Sequence, residues 1–270
     1  MTFAPIAAVN TPVEPIILSD AFFAEAVCRN CGAALHGPHC TQCGQKKAGR
    51  IGVRALRTEA WEKLRLFELD HLQSALRLVA GPGKVARDYV LGVRKRHTHP
   101  LKLLLLAVAV LLVVLAQTRY LTSTNLQVSR VMETARKYAE WSFSLGLFAI
   151  WCASMAGFRK RLGYNAVEHL VLALYTHFVI LLANIANQLP LLVLRSPAWL
   201  AWHKQWSVRY MDFVEPAIVL LALSQFFLVD LRRQWWRLAL AIAVFVAAKK
   251  LLLYAYAWLL VTFVLTRPAG

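Results

Sequence analysis

Acidic residues are scarce in this chain. Only 14 Asp and Glu stand against 31 Lys and Arg, which gives a formal net charge of +17 over 270 residues. Such an imbalance invites a nucleic-acid interpretation. Lys and Arg also accumulate in the cytoplasmic loops of membrane proteins, beside anionic headgroups, and the apolar segments of this chain favour that origin. We therefore predict membrane lipids as partners, and nucleic-acid binding is the lesser hypothesis.

Familiar catalytic motifs are also missing. The sequence contains no H-E-x-x-H, G-x-S-x-G, P-loop or G-x-G-x-x-G segment, so it gives no support to the common metalloprotease, hydrolase, NTPase and dinucleotide-binding classes. Glu168-His169 is the nearest approach to an acid–base pair, but adjacent residues of a helix point about 100° apart. The sequence therefore favours a protein that is not an enzyme.

The first 27 residues lack the features of a signal peptide. A signal peptide needs a basic start followed by an uninterrupted apolar stretch. Here Pro5, Pro12 and Pro15 interrupt the segment, and its only charges are acidic. We predict a flexible cytosolic leader over residues 1–27, with a short helix around residues 20–26.

Four of the five cysteines form two C-x-x-C-G pairs. Thiolates at this spacing can face one metal ion, and the glycine after each pair permits a tight turn that brings backbone amides close to the sulfurs. We predict a structural zinc ion held by Cys28, Cys31, Cys40 and Cys43 in a ribbon over residues 28–45. Two disulfides are the alternative, which a reducing cytosol disfavours.

The short loop between the two pairs leaves little room for a hydrophobic core, so metal binding should supply most of the ribbon's folding free energy. His36 and His39 lie in this loop and are predicted as surface residues because four cysteines already complete the ligand set. Ribbons of this kind bind protein, nucleic acid or lipid surfaces, and the spacing does not discriminate among them. The remaining cysteine, Cys152, lies in an apolar segment and is predicted to be a packed thiol.

Residues 46–100 are predicted to form a basic amphipathic connector. Val53, Leu56, Ala60, Leu64 and Phe67 follow a helical period, and two further helical segments lie on either side of a Gly-Pro-Gly breaker. The apolar stripes either rest on lipid headgroups as an interfacial platform or pack onto the cytosolic ends of membrane helices. The sequence leaves both open.

Residues 101–270 carry five apolar segments of about the length that crosses a bilayer, roughly 20 helical residues. We place these spans at residues 101–116, 141–158, 166–194, 213–229 and 238–265. The predicted fold class is an all-α integral membrane bundle of about five transmembrane helices. The zinc ribbon and the connector helices precede it.

The basic clusters predict the orientation of this bundle. Clusters at residues 94–96, 159–161 and 232–237 fall on the same side of the membrane if the chain crosses five times. Because basic loops stay on the cytoplasmic side, we expect a cytosolic N-terminus and a periplasmic C-terminus. This orientation agrees independently with a reduced cysteine site.

The predicted outer loop before the fourth span is rich in aromatic residues. Trp199, Trp202, Trp206 and Tyr210 recur at a spacing that places all four on one face of a helix. We interpret this face as an anchor in the outer membrane interface.

Polar and ionisable residues at membrane depth are costly, so they are the best functional indicators in the bundle. The candidate intramembrane polar site comprises Asn165, Glu168, His169, His177, Asn184, Glu215, Lys249 and Lys250. These residues either line a hydrated path or binding cavity, or they join helices through polar contacts.

Two ion pairs are expected within this set. Glu168 lies near the cytosolic surface, so we predict that it pairs with the basic cluster at residues 159–161 or with Arg232 and Arg233. Glu215 lies in the outer half, where Lys249 and Lys250 are the available cations.

An ordered set of motifs carries a family resemblance. It consists of Cys28-x-Asn30-Cys31-Gly32, Cys40-x-x-Cys43-Gly44-Gln45, Gly83, Tyr89-x-x-Gly92-x-Arg94-Lys95 before Pro100, and Tyr164-Asn165-x-x-Glu168-His169. With these motifs the chain resembles a bacterial membrane family, the domain of unknown function three-six-six-seven, over most of residues 28–190. The resemblance implies a zinc ribbon on a multi-span bundle in the bacterial inner membrane, and it brings no established activity.

Two functional hypotheses follow. The first is an adaptor, assembly or regulatory factor whose zinc ribbon docks a cytosolic protein partner or the bundle itself. The second is a transporter or lipid-moving protein that uses the polar face of the third span.

Overall fold

A computed structural model of the chain describes residues 15–61, 69–118 and 139–266. These residues are mostly helical, and the β-structure among them is limited to two isolated bridges, Val27 with Ala34 and His39 with Lys46. The helices in chain order are α1 (Asp20–Ala24), α2 (Val53–Trp61), α3 (Leu69–Ala80), α4 (Pro82–Val90), α5 (Pro100–Thr118), α6 (Ala139–Phe158), α7 (Ala166–Gln188), α8 (Pro190–Val193), α9 (Pro197–Phe226) and α10 (Leu231–Thr266).

Three helical stretches in the described part of the chain are long and apolar enough to cross a membrane. They are Pro100–Thr118, Ala166–Val193 and Leu231–Thr262, and a shorter apolar stretch covers Leu145–Phe158. The chain therefore has the character of a membrane protein. Helices occur at all five predicted spans, while the number of membrane crossings beyond these three stays a prediction.

Helix α7 is the centre of the bundle. In its most apolar window 67% of the residues are buried inside the protein, against 28% for α5 and 17% for α10. It packs against α4, α5, α6 and α9, whereas α10 packs chiefly on α6. Polar residues of α7 are therefore enclosed by protein, while much of α10 faces outward.

The loop and the fourth span predicted as separate segments form one helix. Ser196 caps α9 by accepting a hydrogen bond from the Trp199 amide, and the helix then runs for 30 residues through Pro216 to Phe226. The low hydropathy of the first half hides this continuity from an apolar-window reading. Helix α10 is likewise continuous through Lys249-Lys250, with non-helical dihedral angles only at Gln234.

Part of the connector is built into the bundle. Helix α4 packs between α7 and α9, and at Gly83 the approach is so close that a Cβ atom would lie 2.1 Å from the Ala222 carbonyl oxygen. Tyr89 is buried and meets the Tyr175 ring edge to face at 5.7 Å. Of the two interpretations of the connector, packing on the membrane helices therefore holds for α4.

The predicted stripe of α2 is only partly described. Leu56 is buried while Val53 is exposed, and the side chains of Ala60, Leu64 and Phe67 lie outside the described residues. The stripe therefore stays a prediction beyond Leu56.

Candidate functional site

The two cysteine pairs adopt the same local structure. The Gly32 amide donates to the Cys28 carbonyl and the Gly44 amide to the Cys40 carbonyl, both at 2.8 Å. Gly32 and Gly44 have φ values of +77° and +70°, which other residues rarely adopt. The glycine after each pair is therefore required by the turn, as the sequence predicts.

This shared structure brings the four sulfurs into one cluster. All four lie within 4.8 Å of one another, and the shortest separations are 3.6 Å from Cys28 to Cys43 and 3.5 Å from Cys31 to Cys40. A tetrahedral ion with metal–sulfur bonds of about 2.3 Å would hold its ligands roughly 3.8 Å apart. The cluster therefore fits a single metal ion, and all four thiols are free of disulfides.

The backbone around the cluster favours the ionised form of one ligand. The Cys43 amide, together with that of Gln42, lowers the pKa of the Cys40 thiol to about 6. Despite a backbone amide that favours its ionised form, the Cys31 thiol has its pKa raised to about 12 by desolvation and the three neighbouring thiols. Without a metal the cluster therefore retains protons, whereas a cation would favour the thiolate form that binds it. His36 and His39 are exposed on the surface of the loop between the pairs.

Gln45 fastens the second cysteine pair to the loop after α4. Its side-chain amide donates to the Gly92 carbonyl at 2.8 Å, and its carbonyl oxygen accepts from the amides of Arg94 and Lys95 at 3.0 and 2.8 Å. The Lys95 ammonium also donates to the Cys43 carbonyl. The cysteine cluster is thereby attached to the loop between α4 and α5, which together with the start of α7 we call the base of the bundle.

Arg50 continues this attachment to the start of α7. Its Nε atom lies 3.2 Å from Oε1 of Glu168, and its Nη2 atom donates to the Gly163 carbonyl at 2.5 Å. The Asn165 side-chain amide donates to the Ile51 carbonyl at 3.1 Å. The segment that follows the cysteines is thus bonded to the first turn of the most buried helix.

The predicted partners of Glu168 are therefore wrong. Glu168 is fully buried, and its Oε2 atom accepts from the Asn165 amide at 2.7 Å in a capping box. This turns the carboxylate toward Arg50. Arg161 instead donates to the carbonyls of Phe227 and Leu228, at 2.7 and 2.9 Å. That role commits it to the turn between α9 and α10.

The predicted partner of Glu215 is present. Lys249 of α10 donates to Oε2 of Glu215 on α9 at 2.5 Å. The pair borders a cavity of about 490 Å³ that is lined by all five long helices of the bundle. Five of the eight candidate polar residues line this cavity: His177, Asn184, Glu215, Lys249 and Lys250.

The other three candidates lie elsewhere. Asn165 is the N-cap of α7, and Glu168 is held in its capping box. His169 is fully buried, with Nδ1 at 2.6 Å from the Ser154 hydroxyl and its ring 5.2 Å from that of Phe227. The predicted site therefore divides into one part at the N-terminal end of α7 and another part that lines the cavity.

The cavity also contains polar residues that the candidate set omitted. Gln188, Ser207 and Asp212 line it. Gln188 is the last residue of α7, within the predicted third span, whereas Ser207 and Asp212 stand before the predicted fourth span. Continuity of α9 through this region was the missing signal.

The aromatic face predicted on the outer loop is present on α9. The rings of Trp199 and Trp202 stack at 4.8 Å, and those of Trp202 and Trp206 lie 6.5 Å apart. Trp202, Trp206 and Tyr210 are exposed. These positions suit the predicted anchor, whose contact with lipid stays a prediction.

A family model matches part of the chain and supports the resemblance seen in its motifs. Residues 72–112 match the model described as protein of unknown function DUF3667. The matched stretch runs from α3 into α5 and includes Gly83 and the loop that receives Gln45, while the cysteine pairs lie before it. No curated protein and no solved structure matches the chain.

Proposed function

We propose that this is a multi-pass protein of the bacterial inner membrane in which a cytosolic zinc module clamps the base of the bundle. It would act as an adaptor, assembly or regulatory factor. The observation that carries the proposal is the Arg50–Glu168 pair, because the counter-charge of a fully buried carboxylate comes from the segment that follows the cysteines. The module would thus belong to the bundle's own structure.

Zinc is supported by the chemistry of the donor set. Four cysteine sulfurs suit zinc better than the hard cations, which prefer oxygen ligands. A complete four-thiolate shell would leave no position for a substrate, so the ion would have a structural role. Metal analysis of the purified protein tests the assignment, and a different metal at full occupancy would contradict it.

Five membrane crossings are supported by the pairing of successive helices. The Trp151 indole on α6 donates to the Ala166 carbonyl at 2.9 Å, and His203 on α9 lies 2.8 Å from the Asn187 carbonyl on α7. These contacts pair α6 with α7 and α7 with α9. Together with the basic clusters, this favours a cytosolic N-terminus and a periplasmic C-terminus. Labelling of single cysteines introduced at Gly37 and Ser196 by an impermeant reagent tests it, and labelling of position 37 from outside would contradict it.

The adaptor role is supported by the surface that the module leaves uncovered. Cys31, His36 and His39 are exposed on the module, so a cytosolic protein partner could dock there. Affinity capture of the full-length protein tests this role, with Cys28→Ser/Cys31→Ser as the variant and Cys152→Ser as the matched control. We expect the first variant to lose partners that the control keeps, and unchanged partners would contradict docking through the module.

A transporter or lipid-moving protein is the second candidate, because an ion pair borders a cavity between the helices. Charged groups at membrane depth often mark a solute path. Reconstitution in liposomes with His177→Leu and Lys250→Leu variants tests it. We expect flux that both substitutions reduce, and no flux of any lipid or ion by the unmodified protein would remove this candidate.

A further inference from the structure

We propose that the cavity binds the headgroup of a zwitterionic amphiphile of the phosphoethanolamine class, with an ammonium that donates hydrogen bonds and a phosphate. This inference deepens the second candidate function and rests on its placement of the cavity within the membrane. It starts from the opposite charges of the two facing walls. Helix α9 contributes Asp212 and Glu215, and α10 contributes Lys249 and Lys250.

The charge balance selects the class of ligand. Two carboxylates and two ammonium groups line the same space, so neither a net anion nor a net cation gains without meeting a like charge. Glu215 and Lys249 already neutralise each other at 2.5 Å. Asp212 and Lys250 are exposed at the cavity, and the described part of the chain offers neither of them an ion-pair partner. A zwitterion supplies both missing charges in one molecule.

A buried amide points to a ligand that donates hydrogen bonds. Gln188 lines the cavity and is only 5% exposed. Its side-chain oxygen has no hydrogen-bond partner among the residues that the structure describes. A buried acceptor left unpaired is costly, so it calls for a donor. A primary ammonium offers three N–H donors, whereas a quaternary ammonium offers none.

The remaining lining suits a hydrocarbon chain. The volume of about 490 Å³ falls within the range of small-molecule sites. Its apolar wall includes Leu111, Leu115, Leu181, Val208 and Phe245. The outward-facing character of α10 supports entry from the lipid phase, because only 17% of its most apolar window is buried inside the protein.

The test measures which lipid the full-length protein retains. The protein in detergent is incubated with phosphatidylethanolamine, phosphatidylcholine or phosphatidylglycerol of identical acyl chains, and bound lipid is counted by native mass spectrometry. We expect at least fivefold greater retention of phosphatidylethanolamine than of either other lipid. Asp212→Asn, Lys250→Gln and Gln188→Leu should each reduce that retention severalfold, while Lys160→Gln, an exposed residue in the loop between α6 and α7, should leave it unchanged.

Equal retention of the three lipids would overturn the proposal, and so would unchanged selectivity in Asp212→Asn and Lys250→Gln. Both residues are exposed, so these two variants should fold even if Gln188→Leu does not. Competition by soluble glycerophosphoethanolamine separates a free solute from a lipid as the natural source of the headgroup. Selective retention without flux in liposomes would support the headgroup site and contradict transport. Flux without selective retention would support transport and contradict the headgroup site.

Discussion

Two buried acids in this bundle are each paired with a base from another segment, and the pairs differ in what surrounds them. Glu168 is fully enclosed, and its side chain is held by the Asn165 amide as well as by Arg50. The side chain of Glu215 is 10% exposed and borders an open cavity with its partner Lys249. The first carboxylate has no room to exchange its partner, while the second faces space that a ligand or water can enter.

This difference separates a structural pair from a responsive one. The partner of Glu168 arrives through the segment that follows the cysteines, so its strength should depend on the metal. The partner of Glu215 lies on the neighbouring helix, so its strength should depend on what occupies the cavity. Most of the following substitutions are designed to weaken one pair and leave the other intact, and one tests the packing of α4.

Replacing Cys40 and Cys43 by serine should have the largest effect. Apparent binding free energies of structural zinc sites are about 10–16 kcal/mol in small peptides, and this ion would hold the segment that carries Arg50. We expect complete loss of bound metal and a lower thermal unfolding temperature for the whole protein. Metal analysis and thermal denaturation check both, with Cys152→Ser as the matched control. A variant that loses metal but melts like the unmodified protein would show that the module does not support the bundle.

Replacing Arg50 by methionine should have a smaller but still large effect on the free energy of unfolding. Removing one partner of a buried pair leaves an uncompensated charge, which costs about 3–5 kcal/mol. The double variant Arg50→Met/Glu168→Gln should recover part of this loss, because glutamine keeps the capping geometry without the charge. Chemical denaturation of the four proteins in a double-mutant cycle measures the coupling, and additive effects would contradict a direct interaction.

The contacts of these two regions differ in how well they can be predicted from the sequence, and the reason is physical. The cysteine cage follows from local spacing, and the Glu215–Lys249 pair follows from depth along two apolar helices. The Arg50–Glu168 pair joins residues 118 positions apart, and no period or spacing links them. From its depth in the bundle, Glu168 is expected to pair with the nearest basic clusters. The capping box instead turns its side chain toward Arg50, in the segment that follows the cysteines.

The helices show the same limit. Apolar windows located α5, α7 and α10 well, because a membrane helix is recognised by composition alone. They missed that α9 begins at Pro197, since Trp, His and Lys residues lower the hydropathy of its first half. They also left the place of α4 open, because a stripe buried on lipid and one buried on protein have the same sequence pattern.

Replacing Gly83 by alanine should have an intermediate effect on stability, through the packing of α4 against α9. The added Cβ atom would lie 2.1 Å from the Ala222 carbonyl oxygen, so α4 must move away from α9. Overpacking of this kind costs about 1–3 kcal/mol. Thermal denaturation should show the loss, whereas Gly37→Ala, at a site with no atom within 4 Å of the new Cβ, should change little. Equal stability of the two variants would show that the packing of α4 against α9 does not stabilise the bundle.

Replacing Glu215 by glutamine should have the smallest effect on stability. Lys249 keeps a hydrogen-bond acceptor, and its ammonium can be solvated from the cavity, so we expect a loss of about 1–2 kcal/mol. The free energy of unfolding in denaturant measures it. A loss as large as that of Arg50→Met would contradict the distinction between the two pairs.

Amide hydrogen exchange of the full-length protein, with the metal bound and after its removal by a chelator, tests the central claim most directly. If the metal module clamps the base of the bundle, removal should increase exchange in residues 28–51, in the Gln45-binding loop at residues 92–95 and in the first turn of α7. Exchange around Glu215 and Lys249 should stay unchanged. Increased exchange confined to residues 28–45 would contradict the account, because the module would then be an independent appendage.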